Sequence, residues 1–425
     1  MLLMALSAGA VVLPAQTLGS HTAVYDSNGI LQPWTSWQDA IDREMNWYLQ
    51  CPIEHGYPKF IWMTFMDGKY DPIERRHDTI PAMQNGMGII SYLKYYSAQS
   101  KKDARVLQFA RYMGDYLVKE SLTPDTGKYP RFTRSTGQRA VFPQPPDAGV
   151  QRDRPYEIEP DKGGIAGYAL LLLFEQTNDK RYLEQGLQNA RVLARNMTKG
   201  DGANSPWPFR VDYRSGDGRG PVSGHNAYIL RLFDKAIELG YPEFQAARED
   251  LWFWIKTYQL PNLTKDATLW AQFFEDHDEN DNRTAWAPLS LARYLLEKRE
   301  AIDPEWRAHS KALIEFVNRR FTSMRFGVPV SGEQDSDKDP WGGILSTYGA
   351  VLSLYSAATG SPEYKGIAFQ ALNLCLYAVD ENGCPSDSVL HSQCGGWQED
   401  AHTDKIHNIV DAIAAWKRLA GKGPP

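Results

Sequence analysis

The sequence predicts an all-α fold, an (α/α)6 toroid in which twelve helices form two concentric rings, with short extended segments in the loops. Three observations support this prediction. Helical periodicity recurs along the 425 residues in six units, spaced by about 60 to 80 residues, as in repeat architectures. Each unit pairs an amphipathic helix with a helix that is apolar on nearly every side. The polar loops before the second helices resemble one another.

The first helix of each unit carries one apolar stripe and is predicted to lie in the outer ring. In the second unit, Leu107, Ala110, Met113 and Leu117 recur at helical spacing, which places them on one face. The predicted outer helices span residues 37–49, 103–119, 180–196, 243–258, 304–320 and 363–377.

The second helix of each unit is predicted to lie in the inner ring. Residues 163–174 are apolar or small at almost every position, and a helix that is apolar on every side is buried on every side. Several of these helices begin with Asp, Ser or Asn beside Pro or Gly, which are helix-start signals. The predicted starts lie at residues 77–81, 160–163, 223–226, 282–285, 339–342 and 396–399.

The inner helices of such a ring all run in one direction, so their N-termini and the preceding loops gather on one face. Helix N-termini carry partial positive charge and favour anions. We therefore predict that the substrate-binding site lies on this face, where a substrate that carries a carboxylate would be favoured.

The composition and the net charge exclude some classes of function. The net charge is −6 and the Lys and Arg residues are dispersed, so the basic surface of a nucleic-acid-binding protein is missing. Residues 2–13 form an apolar run that matches a signal-peptide core and is too short to span a membrane. We expect a signal peptide at 1–16, a single catalytic domain at 17–425, and a secreted or periplasmic protein without a membrane partner. Because no positive segment precedes the run, a frayed apolar N-terminus is the alternative.

The four cysteines lack metal-site spacing. Cys384 and Cys394 flank a short loop that an oxidising compartment could close with a disulfide, and free thiols are the alternative. Asp335, Asp337 and Asp339 alternate along another loop, but this loop lacks the Gly and the distal Glu of a calcium-binding loop. We expect a solvated acidic loop there, and neither a metal ion nor a cofactor.

Its six units, its export signal and its acid- and aromatic-rich loops make the chain resemble the (α/α)6 carbohydrate-active enzymes. The unsaturated glucuronyl hydrolases and the related β-glucuronidase-type and rhamnogalacturonyl hydrolases are the most similar, and some toroid polysaccharide lyases share the architecture. The resemblance covers about residues 35–420 and is architectural, because no short motif identifies one family. It implies an active cleft on the face of the inner-helix starts, with one or two acidic residues there as catalytic groups.

Asp78 is the first candidate catalytic residue. Glycoside hydrolysis needs a proton donor for the leaving oxygen and usually a second carboxylate, which activates water or attacks the sugar. Asp78 stands at the first turn of an inner helix, and its basic neighbours Arg76 and His77 suit a uronate. A simple helix-capping role is the alternative.

Glu157, Glu159 and Asp161 form the densest acidic set at an inner-helix start. Alternation along an extended segment places Glu157 and Glu159 on one side. Close carboxylates raise one another's pKa, which suits a general acid. We expect one of the three to be catalytic; capping together with an ion pair to Arg152 or Arg154 is the alternative.

The substrate-binding candidates lie on the same predicted face. β-Elimination from a uronate needs a residue that neutralises the carboxylate and a second residue that acts as a base. His225 and Asn226 suit the first role, and Tyr228 or His225 suits the second. The alternative for Tyr228 is that its side chain simply packs in the core. An aromatic residue beside acids, as at Trp397, is typical of a sugar platform, and packing at the ring closure explains Trp397 equally well. Arg210 lies in one of two similar Arg-containing segments that could bind an acidic sugar or simply repeat a scaffold element. The candidates are Arg76, His77, Arg210, His225, Asn226, Tyr228, Trp341, Trp397 and Glu399.

The sequence thus predicts a secreted glycoside hydrolase that removes a terminal glucuronic or unsaturated glucuronic acid from oligosaccharides. Asp78 and a member of the 157–161 set are the leading acid–base pair. The alternatives are a uronate-specific lyase of the same architecture and a non-catalytic glycan-binding toroid. A sugar epimerase ranks last, because few histidines map to the predicted cleft. The sugar, its linkage, retention or inversion of configuration and the oligomeric state stay open.

Overall fold

The computed structural model describes residues 16–72, 77–141, 153–273, 282–397 and 404–420. Within these residues, twelve α-helices account for most of the regular structure. They are α1 (Trp37–Tyr48), α2 (Pro81–Ala98), α3 (Ala104–Glu120), α4 (Pro160–Thr177), α5 (Lys180–Asn196), α6 (Ala227–Glu238), α7 (Gln245–Trp254), α8 (Trp286–Lys298), α9 (Trp306–Arg320), α10 (Gly342–Thr359), α11 (Lys365–Leu376) and α12 (Asp404–Ala420).

The even-numbered helices form a closed inner ring. Each of them contacts the next, and α12 contacts α2 to complete the circle. The odd-numbered helices lie outside, each packed against inner helices. Helices α2, α4 and α10 are buried along most of their length, whereas α3 and α5 bury one face. The predicted (α/α)6 toroid is therefore confirmed.

Local signals start the helices where the sequence predicts. The side chains of Ser36, Asp103 and Asp179 accept hydrogen bonds from backbone amides in the first turns of α1, α3 and α5. Pro81 and Pro160 occupy the first helical positions of α2 and α4, where a missing amide hydrogen costs no hydrogen bond. Of the outer helices, α7 departs most from its prediction: the α-helix ends at Trp254, and a wider turn continues over Ile255–Gln259.

Glycines let the inner helices approach closely. A Cβ added to Gly86 of α2 would lie 2.9 Å from the Ile165 side chain and 3.2 Å from the backbone of Ala166 in α4. At the start of α4, a Cβ on Gly163 would lie 2.0 Å from the ring of Phe132, which is fully buried. Larger residues at these positions would push the layers apart.

Short strands join the loops into small antiparallel sheets. Strand β9 lies between β8 and β10, and β13 pairs with β7. The strands are β1 (Thr17–Leu18), β2 (His21–Thr22), β3 (Val24–Tyr25), β4 (Leu31–Gln32), β5 (Ile53–Glu54), β6 (Tyr57–Pro58), β7 (Phe65–Asp67), β8 (Glu157–Ile158), β9 (Arg210–Asp212), β10 (Gly218–Arg219), β11 (Thr322–Arg325), β12 (Val328–Ser331) and β13 (Gly395–Trp397).

The last inner helix differs from its prediction. The helix was expected to open at residues 396–399, but Gly395 and Gly396 have φ values of 104° and 138° and belong to β13. These backbone angles are incompatible with a helix, and α12 begins at Asp404. Residues 398–403 lie outside the described part of the chain.

The structure contains the disulfide that the sequence analysis gave as one of two alternatives. Cys384 and Cys394 are bridged, whereas Cys51 and Cys375 are buried and unbridged. The loop of Asp335, Asp337 and Asp339 was predicted to be solvated. In the structure one of its residues, Asp335, forms an ion pair with Arg320 at 2.7 Å.

The described helices contain none with both the length and the hydrophobicity that crossing a bilayer requires. The predicted signal peptide lies almost entirely outside the described residues, which begin at Gln16.

Candidate active site

The loops before the inner helices form one rim, because strands connect neighbouring units. Strand β8 of the second unit pairs with β9 of the third, and β13 of the sixth pairs with β7 of the first. An isolated bridge between Thr284 and Gln334 connects the fourth unit to the fifth. Several predicted site residues lie in these strands, namely Glu157 in β8, Arg210 in β9 and Trp397 in β13.

A cleft of about 460 Å³ opens on the rim at the second and third units. This volume lies in the range of small-molecule binding sites. The lining combines cations, aromatic rings and carboxylates, namely Arg134, Arg154, Tyr156, Tyr213, Asp153 and Glu157.

Asp78 lies at the edge of this cleft. Its carboxylate packs against Gly137, a lining residue, so closely that a Cβ there would lie 1.6 Å from Oδ2. The Tyr116 hydroxyl donates to Oδ1 at 2.8 Å. Burial raises the pKa of Asp78 to about 6, although the Tyr116 hydrogen bond and the charges of Arg134 and Arg139 oppose the rise. Near neutral pH, Asp78 can therefore exchange a proton.

Glu157 has the opposite electrostatic environment. Burial disfavours its charged form, yet the Arg219 guanidinium and the backbone amide of Arg154 together lower its pKa. Arg219 Nη2 lies 2.5 Å from Oε2, and the Arg154 amide donates to the same oxygen at 2.7 Å. Glu157 thus stays ionised beside the cleft. The sequence offered Arg152 or Arg154 as the ion-pair partner. Arg152 lies outside the described residues, and in the described structure Arg219 of β10 forms the ion pair with Glu157.

Glu159 and Asp161 are enclosed rather than presented to the cleft. Both are fully buried, and Lys162 lies 3.7 Å from Glu159 and 3.6 Å from Asp161. Burial raises the pKa of each carboxyl. Arg210, also fully buried, contacts Glu159 at 3.1 Å and Asp153 at 2.8 Å. This network stabilises the start of α4 and holds Asp153 in the cleft wall.

An arginine–tyrosine stack borders the cleft. The guanidinium of Arg214 lies 3.5 Å from the ring centroid of Tyr156, and that of Arg134 lies 5.4 Å from Tyr213. Tyr156 is 45% exposed. Such cation–π contacts hold planar groups in fixed orientations, so the cleft has a preorganised aromatic wall.

The axis of the toroid holds a second, much smaller pocket. It measures about 10 Å³, which is roughly the room that one water molecule needs. His225 and Tyr228 line it. Within the described structure, neither ring nitrogen of His225 has a hydrogen-bond partner, and burial with the nearby charges of Lys162 and Arg231 lowers the pKa of the imidazole. The described pocket is too small for a sugar.

Several residues of this axial pocket escaped the sequence analysis. Arg231 pairs with Glu297 at 2.5 Å, and Arg293 lies 3.6 Å from Asp411. His407 and Trp286 also line the pocket. These side chains lie inside inner helices rather than in the loops that precede them. Charged residues in otherwise apolar helices were the signal that could have found them.

The remaining predicted residues occupy separate positions. Asn226 is buried and donates to the Ser223 carbonyl at 2.7 Å, next to the start of α6. The His77 ring lies 5.3 Å from the Trp62 ring. Trp341 and Trp397 are half-buried on the rim, and Trp397 packs edge-to-face on Phe65 at 5.5 Å.

Two predicted residues lie outside the described part of the chain. They are Arg76, in the segment before Asp78, and Glu399, which follows β13.

Comparison with known proteins identifies the fold. No protein-family model and no curated protein matches the sequence. Solved structures similar to the chain include cellobiose 2-epimerase from Spirochaeta thermophila DSM 6192, at TM-score 0.64 and 13% identity over 91% of this chain and 96% of that one. A D-mannose isomerase matches at TM-score 0.60 and 13% identity, over 89% and 96% of the two chains. A GH76 α-mannanase from Bacteroides thetaiotaomicron matches at TM-score 0.59 and 12% identity, over 91% and 98%. At these identities the similarity establishes the toroid fold alone.

Proposed function

We propose that this chain is a glycoside hydrolase that removes a terminal glucuronic or unsaturated glucuronic acid from oligosaccharides. The observation that carries the proposal is a pair of carboxyls with opposed pKa shifts at one cleft. Asp78 is raised to about 6 and Glu157 is lowered. Environments that push two carboxyl pKa values apart separate an acid from a base. The carbohydrate-processing neighbours of the same fold support a sugar substrate.

In the proposed reaction, protonated Asp78 donates its proton to the glycosidic oxygen, or to the vinyl ether of an unsaturated sugar. On a saturated substrate, the bond to the protonated leaving oxygen breaks, and the water oxygen bonds to the resulting cationic carbon while ionised Glu157 accepts the water proton. On an unsaturated substrate, the proton adds to one carbon of the double bond and the water oxygen bonds to the other, again with Glu157 as the base. The hydrated sugar then opens and releases the leaving oxygen. Arg134 and Arg154, which line the cleft, offer cations for the uronate.

We also propose that the protein works outside the cytoplasm. The Cys384–Cys394 disulfide supports this location, because such bonds persist in oxidising compartments.

Two substitutions test the assigned roles, Asp78→Asn and Glu157→Gln. We expect each to lower turnover of a uronic-acid oligosaccharide about 100-fold or more, which is the usual contribution of a positioned acid or base. The chain offers matched controls. Asp42 accepts from the Tyr95 hydroxyl at 2.6 Å, and Glu238 pairs with Lys235 at 2.8 Å near the opposite end of the inner ring.

Asp42→Asn and Glu238→Gln should keep wild-type turnover. Reducing ends released from saturated and unsaturated uronides give the measurement. If Asp78→Asn and Glu157→Gln both turn over these substrates at the control rate, the assignment is wrong.

A further inference from the structure

An Asp–His pair lies on the rim away from the cleft. Asp387 Oδ1 lies 2.7 Å from Nδ1 of His391. Asp387 is buried, whereas the His391 side chain is 48% exposed. Because a carboxylate only accepts hydrogen bonds, Nδ1 carries the proton that is shared with Asp387. The other ring nitrogen, Nε2, is thereby left for an external group.

The loop that carries this pair is constrained in several ways. The Cys384–Cys394 disulfide closes it at both ends. Asp387 Oδ2 accepts from the Trp397 amide at 3.1 Å, and a Cβ on Gly396 would lie 2.4 Å from the same oxygen. Restraints of this kind fix the orientation of a functional side chain.

An aromatic ring and a polar pocket flank His391. The Trp341 ring centroid lies 5.7 Å from the imidazole, and Trp341 is half-buried at the start of α10. On the pocket side, His391 lines a depression of about 40 Å³, enough for a hydroxyl or hydroxymethyl group rather than a whole sugar ring. The polar side chains Ser20, Ser386, Ser392 and Gln393 also line this depression.

The charges beside His391 are mostly acidic, and the buried Lys405 lies behind the pocket, where it donates to the carbonyls of Ala378 and Ser386. Asp380 lines the same pocket, Asp387 is the partner of His391, and Asp337 accepts from the Trp341 ring nitrogen at 2.8 Å. A ligand carboxylate would meet these negative charges at short range. Sugar hydroxyl groups, in contrast, can donate to such acceptors.

We propose that His391, Asp387 and Trp341 form a binding subsite for a neutral hexose unit of the substrate. The subsite rests on the proposed function in one respect: it would bind the part of the oligosaccharide that carries no uronate. Trp341 offers an aromatic ring, and His391 Nε2 offers a hydrogen-bonding atom for a sugar hydroxyl. Asp387 is a positioning residue that holds the imidazole. Strands β13 and β7 connect this loop to the first unit, which carries Asp78.

The test is ligand binding, which needs no turnover. Cellobiose, lactose and mannobiose serve as neutral probes at millimolar concentration, and digalacturonate serves as the acidic probe. Saturation-transfer NMR and calorimetry compare wild type with His391→Gln. Because His391 is half-exposed, this variant is expected to fold, and its melting temperature checks that.

The matched control is a second Asp–His pair, in which His309 Nδ1 lies 2.5 Å from Asp303. Asp303 precedes the outer helix α9 and His309 lies in its first turn, at the face opposite the inner-helix starts. We expect wild type to bind at least one neutral disaccharide, and His391→Gln to weaken that binding about tenfold or more. His309→Gln should leave it unchanged.

Binding of digalacturonate at the arginine-lined cleft should survive His391→Gln. The subsite is refuted if no neutral disaccharide binds wild type, or if His391→Gln binds as tightly as His309→Gln. Loss of neutral-sugar binding in His391→Gln, together with full turnover by Asp78→Asn, would uphold the subsite and overturn only the proposed catalytic role.

Discussion

At the scale of single residues, Asp78 combines an uncommon backbone conformation with an uncommon environment. Its φ is 54°, in the left-handed region that few residues other than Gly adopt. Backbone hydrogen bonds hold it there, from its amide to the Trp62 carbonyl at 2.7 Å and from Gly137 to its own carbonyl at 2.9 Å. Strain that the surroundings maintain is concentrated at functional sites.

The pH profile follows from this environment. If protonated Asp78 is the acid, activity falls as the pH rises through about 6. The Tyr116 hydrogen bond lowers the pKa of this carboxyl, so Tyr116→Phe should move the alkaline limb of the profile to higher pH. Tyr95→Phe, which removes the hydroxyl from Asp42, is the control and should leave the limb in place. An unmoved limb in Tyr116→Phe would contradict the assignment.

The Asp78→Asn substitution should lower activity and, at high pH, raise the stability of the fold. The folded-state pKa is raised from 3.8 to about 6, so the ionised carboxyl destabilises the folded state as the pH rises through this interval. Asn cannot ionise and tolerates the same backbone angle. We expect the variant to gain about 2 to 3 kcal/mol of unfolding free energy at pH 8 and little at pH 3. Denaturant unfolding at both pH values measures this, and a purely structural cap would instead lose stability at pH 8.

The sequence located candidates at this scale but not their partners. Asp78 and Glu157 were found because they precede inner helices. Burial raises the pKa of Asp78, and the hydrogen-bond partners that lower the two pKa values, Tyr116 and Arg219, lie 38 and 62 positions away along the chain. No local pattern encodes such contacts, so the sequence could not assign the acid and the base.

At the scale of elements, the sequence was informative wherever the signal was local. Helix α5 matches its prediction because Asp179 caps it. Helix α7 gives way at Ile255 to a wider helical turn. At this point Trp254 donates from its indole to the carbonyls of Asp201 and Asn204, a tertiary contact that periodicity does not contain. The bends at Gly395 and Gly396 likewise place β13 where a helix start was expected.

Close packing of the elements predicts that alanine substitutions at two helical glycines change stability differently. Gly163→Ala would bring a Cβ to 2.0 Å from the buried Phe132 ring, so we expect a loss of about 1 to 3 kcal/mol from overpacking. Gly366 of α11 has no neighbour within 4 Å of an added Cβ, and Gly366→Ala should be neutral or gain about 0.5 kcal/mol. Thermal unfolding of both variants measures the contrast. Equal changes in unfolding temperature for the two variants would contradict tight packing around Gly163.

At the scale of the whole molecule, the toroid explains why the candidate site lies on one rim. Six parallel inner helices bring their starting loops together, and ring closure through β7 and β13 places the sixth unit beside the first. The sequence predicted this assembly from its six-fold pattern. It could not predict that the ligand-sized cleft lies at the second and third units, while the axis leaves room for about one water molecule.

The most direct test is a time course of the wild-type protein with saturated and unsaturated uronic-acid oligosaccharides, in which ultraviolet absorbance and reducing ends are followed together. Hydrolysis predicts rising reducing ends, with flat absorbance on saturated substrates and falling absorbance on unsaturated ones. Rising absorbance would show elimination, and would shift attention to His225 and Tyr228. No change in either signal would contradict the proposed hydrolysis of uronides.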